Sequence, residues 1–190
     1  MITKSRKTKE TDITISLELN GTGKSNINSG VGFLDHMLES FSKHSLIDLN
    51  IECKGDTHID DHHSVEDIAI VLGVLVAEAI YPVRMMERFG SANIVMDEAC
   101  VSCDIDLSNR PYLVYEVDVK GKVGRFDTEL VEEFFKAFVS SARISTHIVA
   151  LRGKNKHHLI EASFKALAVA IRRATVKNER VGIPSTKDVL

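Results

Sequence analysis

Two runs of the form His-His-x-x-Glu stand out among the residues that can do chemistry. They are His62-His63-Ser64-Val65-Glu66 and His157-His158-Leu159-Ile160-Glu161. Each run opens an apolar stretch with helical periodicity, and residues four apart on a helix share a face. The first His and the Glu of a run can therefore converge on one point, while the second His points about 100° away. Imidazole and carboxylate together suit divalent transition metals such as Zn, Mn, Fe, Co or Ni.

Each run supplies too few ligands for a closed metal site, so we expect the ligands to come from two helices or two subunits. Two further candidates precede the runs: His36, in a predicted helix at about 33–43, and Glu133, in a predicted helix at 129–142. They occupy equivalent places, and both side chains can bind a metal. The sequence thus offers eight candidate ligands: His36, His62, His63, Glu66, Glu133, His157, His158 and Glu161. Two sets of four would leave two open positions on each octahedral ion.

The two runs lie 95 residues apart, counted from His62 to His157, which is half of the 190-residue chain. In each half a predicted helix is followed by a β-type stretch, a glycine and then the His-His helix. This self-similarity indicates duplication of one α+β unit. We predict a single domain over 1–190, made of two pseudo-repeats of roughly 1–92 and 93–190.

Alternating apolar and polar residues indicate the strands of each half. They predict β structure at about 12–19, 46–52, 92–105 and 112–119. Ser64 and Asp67 predict a capping box at the first His-His helix, and the pair Asp60-Asp61 either caps that helix or holds an imidazole. We therefore predict an α+β fold by internal duplication, in which each half-domain is a β-sheet with helices packed on one face and the two halves form one body.

The composition narrows the class of protein. Apolar residues make up 44% of the chain and charged residues 27%, as is typical of a globular domain. The net charge of −3 argues against nucleic acid as a partner, and no apolar run is long enough to span a bilayer. The polar first dozen residues lack the apolar core of a signal peptide, and three cysteines cannot all pair in disulfides. We expect a cytoplasmic protein with no membrane partner.

Two further features of the sequence, a glycine-rich segment and three other histidines, do not indicate a binding site. Gly21–Ser25 resembles the end of a phosphate-binding loop, but Glu18 stands where that motif requires its first glycine. We therefore predict a turn there. For the remaining histidines we predict no metal-ligating role, with contacts to the ligands as the alternative; they are His44, His58 and His147.

Several longer motifs, in this order along nearly the whole chain, resemble those of the imidazoleglycerol-phosphate dehydratases of histidine biosynthesis. They are Gly30–Leu38, Gly55–His63 with Glu66-Asp67, Asp97-Glu98, Ser108–Tyr112, Phe126–Phe135, Lys154–Glu161 with Phe164–Ala166, and Pro184–Lys187. The resemblance implies that the chain is one dehydratase domain, a hydro-lyase with two Mn²⁺ per active site, other divalent transition metals being possible. It also implies a homo-oligomer, a hollow 24-subunit shell whose sites lie between subunits.

The resemblance further implies how the candidate ligands divide between the two ions. One set is His36, His63, His157 and Glu161, and the other is His62, Glu66, Glu133 and His158. Position 133, which is His in some relatives, is Glu here.

The implied substrate is imidazole glycerol phosphate, a small molecule with an imidazole ring, two hydroxyls and a phosphate. Its ring can itself bridge the paired ions, and metal coordination lowers the pKa of the ring N–H and favours imidazolate. Electron density from the ring can then expel the adjacent hydroxyl, and proton loss at the next carbon gives an enol that ketonises to imidazole acetol phosphate. A carboxylate is the expected proton acceptor, and the catalytic candidates are Glu10, Glu66 and Glu161.

The phosphate of this substrate requires fixed cations and hydroxyls. The resemblance assigns substrate binding to residues of both halves: Glu10, His36, His62, Arg88, Arg110, His157, Lys165, Ser185, Thr186 and Lys187.

Two other functions share some of these features. Asp61-His62-His63 matches the motif of a class of phosphoesterases, although an Asp-x-Asp partner motif occurs only at Asp104–Asp106. A shell that stores metal ions is the second alternative. Phosphate release from phosphoesters with Mn²⁺ would favour the first, and loosely held ions without turnover would favour the second.

Overall fold

The computed structural model describes residues 1–189 and confirms the predicted α+β fold. The helices are Gly32–Ser45 (α1), His62–Ile80 (α2), Glu129–Ala142 (α3) and Lys156–Ala174 (α4). The strands are Ile2–Lys7 (β1), Thr11–Glu18 (β2), Ser25–Asn28 (β3), Asp48–Gly55 (β4), Phe89–Met96 (β5), Ala99–Asp106 (β6), Tyr112–Glu116 (β7), Lys122–Val123 (β8), Phe126–Asp127 (β9) and Ser145–Arg152 (β10). Within residues 1–189, no helix has the length and apolar character needed to cross a membrane.

The two halves of the chain have the same sheet topology. The strand order is β1-β2-β4-β3 in the first sheet and β5-β6-β10-β7 in the second. In each sheet the first three strands are antiparallel neighbours, and the fourth lies parallel to the third. The helices follow the same order, since α1 and α2 flank β4 as α3 and α4 flank β10. The second half opens with β5 at Phe89, a few residues before the predicted division at 92/93.

The helices of the two halves pack against each other and against the inner faces of the sheets. On β2, Ile13, Ile15 and Leu17 are buried while the intervening side chains are exposed or half-buried. α2 packs on the first sheet and against α3, and α4 packs on the second sheet and against α1. One contiguous apolar core therefore joins the halves into one body.

The start of α2 differs from the predicted capping box. The helix begins at His62, so Ser64 lies inside its first turn, and Asp60 Oδ1 accepts the backbone N–H of His62 at 2.8 Å. Asp67 instead accepts hydrogen bonds from Arg6 Nε at 3.0 Å and from Thr11 Oγ1 at 2.5 Å. The capping-box prediction is therefore wrong, because the helix begins two residues before Ser64 and the Asp67 carboxylate is bonded to β1 and β2 instead.

The predicted β segment 92–105 is a hairpin of two strands. β5 and β6 pair antiparallel around the turn at Asp97 and Glu98, and Asp97 has a left-handed φ of 49°. The turn is only two residues long, and apolar residues stand close on both sides of it, which is why the pattern indicated one β segment. The turn predicted at Gly21–Ser25 is confirmed, since Asp48 Oδ1 accepts the backbone N–H groups of Thr22 and Lys24 at 2.7 and 2.9 Å.

Candidate metal centre and phosphate pocket

The start of α4 fixes the second His-His pair. Asn155 is the N-cap, and its side-chain oxygen accepts the backbone N–H of His157 at 2.9 Å and of His158 at 3.5 Å. Such a cap satisfies N–H groups that have no partner within the helix. Both imidazoles therefore project from the first helical turn, with Glu161 one turn further on, as the spacing predicts.

His36, His157 and Glu161 converge on one point. Glu161 Oε2 lies 3.0 Å from His157 Nε2 and 3.3 Å from His36 Nε2. All three donor atoms lie within 4.8 Å of one another. His36 comes from α1 and the other two from α4, so the packing of α1 on α4 brings the two halves of the chain together here. Two imidazoles and one carboxylate form a donor set that fits a divalent transition metal.

The electrostatics of this cluster keep Glu161 ionised. Burial raises the pKa of Glu161, but the Lys165 ammonium, 2.7 Å from Oε1, and the imidazoles of His36 and His157 hold its net pKa below the usual range. The side chain of Glu161 is only 8% exposed. A buried carboxylate that stays charged is in the form that binds a cation.

The other five candidate ligands lie apart from this cluster within one chain. His62 Nε2 is 3.7 Å from Glu66 Oε2 on α2, as the four-residue spacing predicts. Glu133, on α3, is paired with Lys136 at 3.0 Å. The structure thus brings together three members of the first predicted set, with His63 elsewhere, and distributes the second set over α2, α3 and α4.

The second His of each pair contacts carboxylates. His63 Nδ1 lies 3.0 Å from Asp56 Oδ2, and this hydrogen bond raises the pKa of His63. His158 Nδ1 lies 2.8 Å from Glu98 Oε2. The hydrogen bond with His158, helped by backbone N–H groups of Asn155 and Lys154, lowers the pKa of Glu98 to about 2.

Glu10 lies in the turn between β1 and β2, beside the first His-His pair. Its Oε1 is 3.7 Å from His63 Nε2, and its side chain is 52% exposed. The β1–β2 turn therefore places this catalytic candidate next to a predicted metal ligand, with its carboxylate accessible from outside.

A separate pocket gathers most of the predicted phosphate-binding residues. It has a volume of about 770 Å³, and the candidates that line it are Arg88, Arg110, Ser185, Thr186 and Lys187. Arg110 and Lys187 are exposed, and neither has a carboxylate partner within residues 1–189. Lys165 is the one candidate phosphate ligand placed elsewhere, since it pairs with Glu161.

Arg88 organises this pocket. Its guanidinium holds Asp106 through two hydrogen bonds of 2.7 and 3.0 Å, and it donates a third, of 2.7 Å, to the Pro184 carbonyl. The Asp106 hydrogen bonds raise the pKa of Arg88. Arg88, its charge paired with Asp106, therefore fixes the segment that carries Ser185 and Lys187.

Comparison with known proteins decides the family. The family model described as Imidazoleglycerol-phosphate dehydratase matches residues 29–171. An imidazoleglycerol-phosphate dehydratase from Sulfurimonas denitrificans is 82% identical over 190 residues, covering all of both chains, and one from Nitratiruptor sp. is 62% identical with the same coverage. The chain belongs to the imidazoleglycerol-phosphate dehydratase family. It is therefore an enzyme, a hydro-lyase with the dehydratase activity of histidine biosynthesis, as the resemblance implied.

Solved structures of imidazoleglycerol-phosphate dehydratases have the same fold. The crystal structure of the enzyme from Staphylococcus aureus superposes with a TM-score of 0.83 at 45% identity, covering 94% of this chain and all of that one. The crystal structure of IGPD from Pyrococcus furiosus in complex with (S)-C348 has a TM-score of 0.85 at 38% identity, covering 98% of this chain and all of that one. Membership in this family of dehydratases favours dehydration over the phosphoesterase and metal-storage alternatives.

Sequence reasoning missed Asp56 and Glu98 as partners of the histidines. Both lie in motifs that carry the resemblance to the dehydratases, but only Asp56 is close in sequence to the histidine that it contacts. Glu98 is 60 residues from His158 and reaches it only through the β5–β6 turn. Asp56 follows Gly55 in the loop before α2, where a search of carboxylates close to the His pair would have found it.

Proposed function

We propose that this chain dehydrates imidazole glycerol phosphate to imidazole acetol phosphate and depends on two divalent metal ions per active site. The convergence of His36, His157 and Glu161 carries the proposal, because it joins two imidazoles to a buried, ionised carboxylate. The proposed substrate is taken from the names of the relatives, which are imidazoleglycerol-phosphate dehydratases. The pocket with Arg110 and Lys187 offers its phosphate two exposed cations.

The donor atoms fit Mn²⁺, which is the metal we propose. One ion would be held by His36, His63, His157 and Glu161, and the other by His62, Glu66, Glu133 and His158. In this scheme Glu66 and Glu161 take part in catalysis as ligands. When bound to the substrate ring, a divalent ion lowers the pKa of the imidazole N–H and stabilises negative charge on the ring. Zn, Fe and Co accept the same donors.

Neighbouring subunits of a 24-subunit shell would complete the two ligand sets. Within one chain these sets are divided, which supports sites between subunits. The side chains of His62, Glu66 and Glu133 are 42%, 46% and 38% exposed, so they are open to a neighbouring chain.

The remaining chemistry belongs to side chains of this protein. The reaction removes a hydroxyl from the carbon beside the ring and a proton from the next carbon, and the two leave as water without any redox change. The Glu10 carboxylate is the proposed acceptor of that proton, because it is exposed and adjacent to His63. Lys165 keeps Glu161 ionised, and Arg110, Ser185, Thr186 and Lys187 hold the phosphate in place.

Removal of metal tests the proposed function. Stripping the protein with a chelator is expected to lower turnover of imidazole glycerol phosphate by at least about 100-fold, because a bound cation contributes several kcal/mol to transition-state stabilisation. Added Mn²⁺ should restore turnover, with two ions per chain by elemental analysis. Full turnover in protein verified as metal-free would contradict the proposal. Release of inorganic phosphate instead of dehydration would support the phosphoesterase alternative.

Replacing Glu10 by glutamine (Glu10→Gln) tests the proton acceptor. The amide cannot take the proton, so kcat is expected to fall by about 10²- to 10⁴-fold. The Mn²⁺ content should stay at the wild-type level, because Glu10 is beside the proposed ligands but outside both sets. Steady-state kinetics on both proteins measure the effect, and an unchanged kcat would rule Glu10 out as the base.

A further inference from the structure

The second histidine of each His-His pair is held in the same way in the two halves of the chain. Asp56 Oδ1 and Oδ2 lie 3.1 and 3.0 Å from Nδ1 of His63. Glu98 Oε2 lies 2.8 Å from Nδ1 of His158. The histidines are equivalent by duplication, but the carboxylates come from different elements, since Asp56 precedes α2 and Glu98 lies in the β5–β6 turn. The two halves thus reach one arrangement by separate routes.

This arrangement selects one form of each imidazole. An ionised carboxylate only accepts hydrogen bonds, so the nitrogen that faces it must carry the proton. In a neutral ring the other nitrogen, Nε2, then presents a lone pair, which is the form that binds a metal ion.

Within residues 1–189, the Nε2 atoms of His63 and His158 make no hydrogen bond. His63 Nε2 is 3.7 Å from Glu10, and His158 Nε2 is 3.8 Å from Asp97. Both separations exceed a hydrogen bond. In each half, one ring nitrogen is therefore fixed and the other is available.

Glu98 is itself held in place. Its Oε1 accepts the backbone N–H groups of Asn155 at 2.7 Å and Lys154 at 3.1 Å, just before α4. These bonds leave Oε2 to face the imidazole of His158. Asp56 is held by its burial, since its side chain is only 14% exposed.

We infer that Asp56 and Glu98 are positioning residues that fix the Nε2 lone pairs of His63 and His158 for the two metal ions. The inference rests on the proposed metal dependence. It assigns each ion one carboxylate that acts through a histidine without touching the metal.

Glutamine at position 98 provides a sharp test. In Glu98→Gln the side-chain oxygen can keep both backbone hydrogen bonds, but the amide NH₂ then faces Nδ1 and donates to it. His158 must then carry its proton on Nε2, where it blocks the metal. Asp56→Asn acts on His63 by loss of charge, because an amide oxygen accepts the Nδ1 proton more weakly than the carboxylate does and the NH₂ can face Nδ1 instead. Each variant is expected to lower the affinity for one of the two Mn²⁺ ions by about 10- to 100-fold, and the double variant is expected to lower the affinity for both.

Titration of the full-length, assembled protein with Mn²⁺ measures this, with free Mn²⁺ followed by electron paramagnetic resonance. Glu52→Gln is the matched control, because Glu52 is an exposed carboxylate on β4 that accepts a hydrogen bond from Asn28 and lies outside the metal cluster. It should bind two ions as the wild type does. Thermal unfolding in chelator reports the metal-free fold, and the midpoints of Glu98→Gln and Asp56→Asn should equal that of the wild type.

The outcomes separate the inference from the proposed function. If the wild type and both variants each bind two Mn²⁺ ions tightly, the inference is overturned and metal dependence stands. A wild type that binds no Mn²⁺ tightly overturns the proposed function. Variants whose unfolding midpoint in chelator falls along with their affinity also overturn the inference, because the contact is then purely structural.

Discussion

Glutamine in place of Glu161 (E161Q) is expected to lower kcat/KM by about 1,000-fold or more, the loss expected when a metal's transition-state stabilisation of several kcal/mol is removed. The carboxylate lies between the imidazoles of His36 and His157 and is paired with Lys165. An amide has nearly the same shape but no charge. The substitution therefore removes the one anionic donor of the cluster and leaves the Lys165 ammonium without its partner.

Two measurements check this expectation. Steady-state kinetics give kcat/KM, and elemental analysis gives the Mn²⁺ content, which should fall with the activity. Glu39→Gln is the matched control, because Glu39 is an exposed residue of the same helix as His36. Wild-type turnover or a full complement of metal in E161Q would show that Glu161 is not a ligand.

Arg110→Gln is expected to raise KM by about 100-fold, with a smaller effect on kcat. A hydrogen bond to a charged group contributes about 1.5–3 kcal/mol, and each 1.4 kcal/mol is about tenfold in affinity. The guanidinium lies in the pocket with Ser185 and Lys187. Within residues 1–189, its one polar contact is a hydrogen bond of 3.5 Å that it donates to the Ser108 carbonyl. It is therefore available to the substrate phosphate, which is remote from the bonds that break.

Inhibition by inorganic phosphate provides an independent readout of the same contact. Its inhibition constant should rise in parallel with KM, because phosphate alone carries the group that Arg110 binds. Arg152→Gln, an exposed arginine at the end of β10, should change neither constant. A fall in kcat with unchanged KM would mean that Arg110 acts on the reacting centre and not on the phosphate.

The parts of the fold that the sequence predicts are those with local periodicity. α3 spans Glu129–Ala142, the range that its apolar stripe predicts, and both His-His pairs begin helices. A helix repeats every 3.6 residues, so a stretch of apolar positions defines the helix and its buried face together. The internal duplication could be predicted in the same way, because the same local patterns recur 95 residues apart.

Contacts between distant segments could not be predicted in this way. The spacing of Lys165 and Glu161 puts both on one face of α4, yet only the fold shows that their charges pair and that Lys165 lies outside the phosphate pocket. The carboxylate that holds His158 comes from the β5–β6 turn, 60 residues earlier in the chain. Such contacts depend on how helices and hairpins pack, and no periodic pattern records that packing.

The packing of α2 on α3 and of α1 on α4 means that each half of the chain covers the other. A half produced alone would leave one side of its helices in water, at a cost of about 25 cal/mol for each Å² of apolar surface. Covalent linkage keeps these apolar faces covered, because it holds the two halves at an effective concentration of about millimolar. The association of the two halves is thus unimolecular, so formation of their shared core does not depend on the protein concentration.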